Sequence, residues 1–179
     1  MLRNLCSAAL LAVMLVVLVA GNVQAQSQAN ANVGVSATVL TALTITKNTD
    51  VAFGNVGATT AGTVYVDPKG VANTYVGTGW AVGTLTVAGA NSQSIHLGWP
   101  ASIPLTSGAN TMTYTLKVNT LNANTQASST TKTLTGGFFD DATSATGGYF
   151  LWVGGDLGTL SSQPVGAYTG TANFTVEYN

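Results

Sequence analysis

The chain has 179 residues but only five basic and six acidic side chains, together with one histidine and one cysteine. Charges this sparse and scattered exclude a basic surface for nucleic acid. A single histidine also excludes a metal site built from two or more imidazoles. The only cysteine, Cys6, has no partner for an internal disulfide. The sequence therefore points to a fold that is stabilised by packing and backbone pairing.

The first 25 residues have the pattern of a secretory signal peptide. Arg3 precedes an apolar run over residues 8–20, and a short polar stretch ends at Ala25, where a signal peptidase is expected to cleave. The apolar run is shorter than the ~20 residues that a membrane span needs. We therefore predict a chain that is exported to the periplasm, the cell surface or the medium, with no membrane span after cleavage.

Residues 26–179 are predicted to form one domain, with a flexible lead over residues 26–32 and a β-domain over residues 33–179. No composition shift or linker divides this part of the sequence. It keeps four lysines and six carboxylates, a net charge of about −2. A surface of Thr, Ser, Asn, Gln and Gly with so little charge favours association, as in a surface polymer or coat.

Short runs of alternating apolar and polar residues predict strands along the whole domain. In chain order, the predicted strands are residues 29–39 (with the pattern resumed at Leu43 and Ile45), 51–53, 63–66, 82–87, 95–97, 112–119, 149–153 and 172–178. Residues 149–153 are apolar on both faces, which is typical of a central strand. Residues 120–133 and 138–148 are predicted loops. About nine short strands predict an all-β, antiparallel, immunoglobulin-like sandwich.

Candidates for catalysis and metal binding are few. His96 alternates with Ile95 and Leu97 in a predicted strand, and neither a nucleophile elbow nor a triad partner accompanies it. We therefore predict no enzymatic activity and no cofactor. Three aspartates in predicted loops are weak Ca²⁺ candidates, because the spacing of the twelve-residue calcium loop is absent. They are Asp140, Asp141 and Asp156.

Aromatic residues suggest an alternative binding role. Trp80 and Trp99 follow or precede turn residues and are candidate contacts for a glycan, because exposed indole rings stack on sugars. Trp152 lies in the doubly apolar strand and is predicted to belong to the core. A secreted glycan-binding domain is therefore the alternative hypothesis for function.

The C-terminal residues carry a family resemblance. Pro164 and the turn from Gly166 to Gly170 precede an alternating strand with Phe174, Val176 and a penultimate Tyr178. Together with residues 43–45, the Phe53-Gly54 pair and residues 155–160, this pattern resembles domain-of-unknown-function family 4402. A weaker similarity links the chain to chaperone–usher fimbrial and coat-type subunits. The resemblance implies a small exported bacterial β-protein and specifies no chemistry.

The fimbrial similarity implies assembly by strand donation, in which one subunit fills a groove in the next by β-augmentation. The candidate donor positions are Ala29, Ala31, Val33 and Val35. Residues Phe174, Val176 and Tyr178 would then line the groove or belong to the core. Copies of the same chain, a periplasmic chaperone and an outer-membrane usher are the implied partners. In the alternative, residues 29–45 form one complete first strand within the domain itself.

Overall fold

A computed structural model describes residues 28–179. The predicted signal peptide, with Arg3 and Cys6, lies outside the described residues, as do the first two residues of the predicted lead. The chain divides at residues 38 and 39 into two units, which are described separately below. Residues 28–179 contain no helix that is long and apolar enough to span a bilayer.

The second unit is built from ten strands, all paired in antiparallel fashion. They are β1 Thr44–Thr49, β2 Thr63–Val66, β3 Gly83–Ala88, β4 Ser94–Gly98, β5 Ser102–Ser107, β6 Asn110–Leu121, β7 Thr130–Lys132, β8 Phe138–Ala142, β9 Gly148–Thr159 and β10 Thr175–Tyr178. A single 3₁₀ turn, Gln126–Ser128, precedes β7. The predicted all-β antiparallel sandwich is confirmed, with ten strands instead of about nine.

The strands form one large and one small sheet. The large sheet has the order β1-β3-β9-β6-β5, with β2 added to β9 and β7 added to β6. The small sheet has the order β10-β4-β8. Strand β9 is central because β6 lies on one side of it, while β3 and β2 share the other side.

The core lies between the inward rows of the two sheets. Because side chains alternate along a strand, every second residue of β3, β4, β6 and β9 reaches it. The most deeply buried members, each at most 1% exposed, are Val87, Ile95, Leu97, Val118, Tyr149 and Leu151. Trp152 faces the other side of β9 and is only 4% exposed, as expected of a strand covered on both faces.

Three strands, β5, β7 and β8, lie in segments for which the sequence pattern predicted no strand. The predicted loop 138–148 begins with β8, whose alternation is hidden because Asp141 occupies an inward position and accepts a hydrogen bond from the Tyr149 hydroxyl. The predicted loop 120–133 includes the end of β6 and all of β7. Strand β5 contains Pro104, which is tolerated because the only ladder of β5 is with β6 and its other edge carries just one isolated bridge, from Thr106 to Thr169.

Both ends of the domain have less strand than their alternation predicts. Residues 28–43 belong to no strand, so the first strand begins at Thr44 and not within residues 29–39. At the other end, only Thr175–Tyr178 of the predicted strand 172–178 is paired. Residues 51–53 contribute one isolated bridge, between Ala52 and Ala81. Of these segments, residues 51–53 and 172–174 line a groove in the second unit.

Candidate assembly groove

The sandwich is covered unequally because its two sheets differ in strand length. Strands β6 and β9 of the large sheet have twelve residues each, whereas the strands of the small sheet have four or five. At ~3.3 Å per residue, β9 is about 40 Å long and β4 about 16 Å. The small sheet therefore covers only part of the large one, and the rest of the inward face is open.

An apolar groove of about 1100 Å³ occupies the uncovered part. Its floor is the inward row of the large sheet, formed by Leu85, Ile103, Leu105, Met112, Tyr114, Leu116, Val153 and Leu157. Several of these side chains are only partly buried, although each lies at a core position of its strand. The groove is therefore an unfinished portion of the hydrophobic core.

One wall of the groove is formed by β1 and the segment after it. Ile45 and Phe53 contribute apolar side chains to this wall. Strand β1 pairs with β3 along one edge only. Its other edge carries backbone donors and acceptors that a further strand can pair with.

The opposite wall is formed by residues 163–174, which include Ala172 and Phe174. Their side chains alternate between half-buried and exposed from Thr171 to Asn179, yet the ladder begins only at Thr175. Thr169 forms one isolated bridge with Thr106, and residues 170–174 belong to no strand. This wall is extended chain with strand periodicity that lacks a strand partner.

The groove is almost uncharged. Among its described lining residues, only Lys47 and Asp50 carry charge, and they pair with each other at 2.7 Å between Nζ and Oδ1. Both side chains are well exposed, so this ion pair contributes little to stability. An occupant of the groove therefore needs apolar side chains and no charge of its own.

The chain closes the groove at both ends: the Gln163 N–H donates to the Ala58 carbonyl at 2.8 Å at one end, and Tyr178 connects the two sides at the other. The Tyr178 hydroxyl donates to the Thr41 carbonyl at 2.8 Å and accepts the Ala90 N–H at 2.6 Å. The ring contacts Gly89, which also lies against Leu43. Tyr178 thus links the residues before β1, the loop after β3 and the last strand.

The first unit contains the predicted donor positions. Residues 28–38 are exposed throughout and form no strand. Val33 and Val35 are 85% and 93% exposed, and Ala29 and Ala31 are exposed as well. No residue from 28 to 46 is charged. The segment thus keeps the period of a strand, with its apolar side chains in solvent.

The predicted C-terminal positions lie in or beside the groove. Phe174 is part of the wall and packs near Trp99, with ring centroids 6.1 Å apart. Val176 and Tyr178 belong to β10 and are half-buried against the core. Ile103 and Leu105 of the floor were not predicted as site residues; their alternation around Pro104 was the available signal.

The two candidate glycan contacts have different environments. Trp80 is 40% exposed and approaches Gly70, whereas Trp99 is 9% exposed and belongs to the core cluster. A buried indole cannot present a ring face to a sugar. Among the described residues, the structure therefore does not bring the two tryptophans together as one binding surface.

The predicted acidic candidates are also dispersed. Asp140 faces outward on β8 and pairs with His96 Nδ1, while Phe138 stacks on the imidazole with centroids 4.1 Å apart. Asp141 points inward, and Asp156 lies on β9 between β2 and β6. Residues 28–179 contain no group of three side chains that could hold a metal ion.

Asp141 belongs to a buried polar network that joins the two sheets. The Tyr149 hydroxyl lies 2.7 Å from both Asp141 Oδ2 and Thr120 Oγ1. Since the phenol has one proton, it donates to the carboxylate and accepts from the threonine. Burial raises the pKa of Tyr149 above its ordinary value of 10, and the Asp141 carboxylate adds to the increase.

Tyr114 forms a second buried hydrogen bond between strands, at the border of the groove. Its hydroxyl donates to the Gly154 carbonyl at 2.7 Å. Burial raises the pKa of Tyr114, and the charge of Asp156 adds to the effect. Both tyrosines therefore act as neutral structural hydrogen-bonding groups.

A protein-family model matches most of the chain. The family model described as domain of unknown function (DUF4402) matches residues 43–178, which include all ten strands and both walls of the groove. The matched region begins just before β1 and leaves out residues 28–42. No curated protein matches the chain.

Proposed function

The chain belongs to the DUF4402 family, and we propose that it is a noncatalytic, exported subunit of a bacterial pilus-like fibre or coat. In this proposal, each copy donates its N-terminal segment to the groove of the next copy. The proposal rests on an open groove and an unpaired N-terminal segment whose properties complement each other. The domain has an open apolar groove between two unpaired backbone edges, and the chain has an exposed, uncharged segment with strand periodicity.

Backbone pairing supports this mode of assembly. A strand placed between β1 and residues 170–174 would pair with two edges that have no partner on that side. Residues 29–39 extend to about 36 Å at ~3.3 Å per residue, which exceeds the six-residue length of β1. The donor segment is therefore long enough to complete the ladder along this wall.

Side-chain burial supports the same placement of the donor segment and indicates that its N-terminal end binds more weakly than the rest. Ala29 and Ala31 would fill little of the groove, whereas Val33 and Val35 each add further methyl groups. At ~0.8 kcal/mol per buried CH₂, the valines contribute most of the side-chain affinity. The apolar pattern continues through Ala37 to Val39, which is 93% exposed. We expect the ladder and these valines to dominate binding.

Export and protected delivery are parts of the same proposal. An apolar groove that stays open during secretion would promote unspecific association. A periplasmic chaperone that covers it, and an outer-membrane usher that exchanges the chaperone strand for a subunit strand, fit this need.

His96 has a structural role in the proposal, because its imidazole contacts Asp140 and Phe138 on neighbouring strand β8.

The test separates donor from acceptor. The chain from residue 26 onward is compared with a variant that lacks residues 26–38 and with a double variant, Val33→Asp with Val35→Asp. Without boiling, the parent should run on denaturing gels as a ladder that collapses to one band on heating. Both variants should run as monomers. A synthetic peptide of residues 28–40 should raise the Tm of the deletion variant.

A matched peptide controls for unspecific effects. The same peptide with aspartate at positions 33 and 35 should leave the Tm unchanged, because carboxylates would be buried in an uncharged groove. If the unmodified peptide binds, a free peptide concentration of 100 times its Kd should stabilise the domain by about 2.7 kcal/mol. A parent that stays monomeric, and whose Tm falls on deletion of residues 26–38, would instead place the segment in its own groove and refute the proposal.

A further inference from the structure

The covalent link between a donated segment and its own domain is short. The Tyr178 hydroxyl donates to the Thr41 carbonyl at 2.8 Å, so the domain holds the chain from Thr41 onward. The apolar alternation of the donor segment ends at Val39, and two residue steps from Val39 to Thr41 span about 7 Å when fully extended. A ladder that stops at Ala37 leaves about 14 Å. Strand donation therefore leaves little free chain between two copies.

A link this short brings the two connected domains into contact, because the domain is much larger than the link: β9 alone is about 40 Å long. We infer that neighbouring copies form a second, direct contact, in which the Tyr178 end of one domain packs against the Gln163 end of the next. The Tyr178 end consists of residues 41–43, 89–93 and 143–147, and the Gln163 end of residues 54–62 and 160–168. The inference rests on the strand donation proposed above and adds a surface to it.

Hydrogen bonds hold the loops of each end together. At the Tyr178 end, the Gly89 N–H donates to the Gly147 carbonyl at 2.9 Å. At the Gln163 end, the Thr60 N–H donates to the Leu160 carbonyl at 3.0 Å, beside the bond from the Gln163 N–H. Each end is therefore a defined surface that another domain can pack against.

The direction of the donated strand decides which ends meet. β1 and residues 170–178 run in opposite directions, because Thr41 before β1 is bonded to Tyr178, whereas Ala58 after β1 is bonded to Gln163. A strand between them is antiparallel to one and parallel to the other. Residues 170–178 offer a longer free edge than the six residues of β1, and antiparallel pairing is the more stable kind. Antiparallel pairing with residues 170–178 places Val39 at the Gln163 end.

Both ends have the composition of a contact surface. No residue in the loops of either end is charged, and every charged side chain of residues 28–179 lies elsewhere in the sequence. Charged residues are depleted in the centre of protein–protein interfaces. Val165, in the Gln163 end, is 96% exposed, and Leu40, next to the Tyr178 end, is 37% exposed. A direct contact would cover apolar side chains on both partners.

The test uses cysteines as markers of distance, since Cys6 is the only cysteine and precedes the predicted cleavage site. Asn91→Cys with Val165→Cys places one thiol on each end of the chain from residue 26 onward. After assembly, the sample is treated with a short bismaleimide and boiled in detergent before electrophoresis. The double variant should keep its ladder after boiling, because each copy is joined covalently to the next. Each single variant should run as a monomer.

Asn91→Cys with Val71→Cys is the matched control. Val71 is also a highly exposed valine, at 82%, but it follows β2 at the level of Gly155, half-way along β9. This pair should leave no ladder after boiling. A second pair, Ala145→Cys with Ser161→Cys, uses exposed residues from other loops of the same two ends and serves if the first pair disturbs assembly.

Lengthening the link tests its role directly. Insertion of about ten Gly and Ser residues between Leu40 and Thr41 should keep the ladder of unboiled samples. It should lower the yield of the boiled, crosslinked ladder about fivefold, because the effective concentration of the two ends falls with roughly the −3/2 power of linker length. An unchanged yield would contradict the inference that the short link enforces the contact.

The two ladders distinguish failure of this inference from failure of the proposed function. If the unboiled ladder forms but neither cysteine pair gives a ladder after boiling, the end-to-end contact is refuted and strand donation stands. Crosslinked dimers from Asn91→Cys alone would mean that two Tyr178 ends meet, and they would overturn the inference as well. A parent chain without any unboiled ladder would overturn both proposals.

Discussion

Strand β9 passes through two regions of the same sandwich, one covered by the small sheet and one left open. At its start, Leu151 is completely buried beneath the small sheet. Six residues later, on the same face, Leu157 lines the open groove and is only partly buried. The two side chains are chemically identical and belong to one strand. Their difference in burial therefore depends on what lies above β9 and not on β9 itself.

The closed region also has a polar tie that the open region lacks. Above Leu151, the Thr120–Tyr149–Asp141 network connects β6 and β9 of the large sheet with β8 of the small one. In the described part of the open region, the two walls are joined near Tyr178 at one end and by the Gln163 N–H, which donates to the Ala58 carbonyl at 2.8 Å, at the other. The closed region is therefore held by contacts within the chain, whereas the open region leaves the inward face of the large sheet uncovered.

The largest expected effect comes from truncating one leucine in each region. Leu151→Ala should lower the free energy of unfolding by about 2–5 kcal/mol, because it leaves a cavity in a closed core. Leu105→Ala in the groove floor should cost less, about 1–2 kcal/mol, since this side chain is only partly buried and faces the open groove. Urea unfolding followed by tryptophan fluorescence measures both values.

The deletion variant that lacks residues 26–38 is the proper background, because it prevents assembly from masking the difference. Adding the peptide of residues 28–40 should then raise the cost of Leu105→Ala and leave that of Leu151→Ala unchanged. Equal losses for the two substitutions without peptide would contradict the division into a closed and an open region.

The sequence predicted the closed region better than the open one, for a physical reason. Strands β2, β3, β4 and β6 lie where alternation predicted them, and β9 where a run apolar on both faces did, because burial selects apolar residues. Strand β8 escaped prediction because Asp141, an inward carboxylate, is satisfied by Tyr149 from a distant strand. That kind of compensation is set by tertiary structure and leaves no local pattern.

The groove follows from strand lengths and topology, which a single sequence does not specify. Alternation in residues 29–39 and 172–178 predicted strands, yet residues 29–39 and 172–174 are unpaired in the single chain. Alternation alone was wrong for these segments, because a strand also needs a backbone partner that periodicity does not specify. The roles proposed for Ala29, Ala31, Val33 and Val35 remain predictions that the assembly experiments test.

An intermediate effect is expected from alkaline pH, which acts on the buried tyrosines. The pKa values of Tyr114 and Tyr149 are raised above 10 in the folded state, so the unfolded state loses these protons first. Their contribution to stability is complete below pH ~10 and falls as the pH rises further. The slope approaches about 1.4 kcal/mol per pH unit for each tyrosine.

Urea unfolding at a series of pH values between about 9 and 11 measures this slope. Tyr149→Phe removes one buried phenol and should reduce the slope by less than half, because the pKa of Tyr65 is also raised by burial, although the substitution lowers stability at every pH by breaking the network with Asp141. An unchanged slope in Tyr149→Phe would mean that this hydroxyl ionises as easily in the folded as in the unfolded chain.

The smallest effect is expected at Tyr178, which closes one end of the groove. Tyr178→Phe keeps the ring but removes the hydrogen bonds to the Thr41 carbonyl and the Ala90 N–H, at a cost of about 1 kcal/mol. Tyr168→Phe, on the opposite wall, loses a bond to the Pro164 carbonyl and is the matched control. Hydrogen exchange should accelerate at Ala90 and in β1 only in Tyr178→Phe. Unchanged exchange there would mean that backbone pairing alone fixes β1. If hydrogen exchange is faster in Tyr178→Phe and the ladder on unboiled gels also forms more slowly, β1 must be held in place before the donated strand can bind.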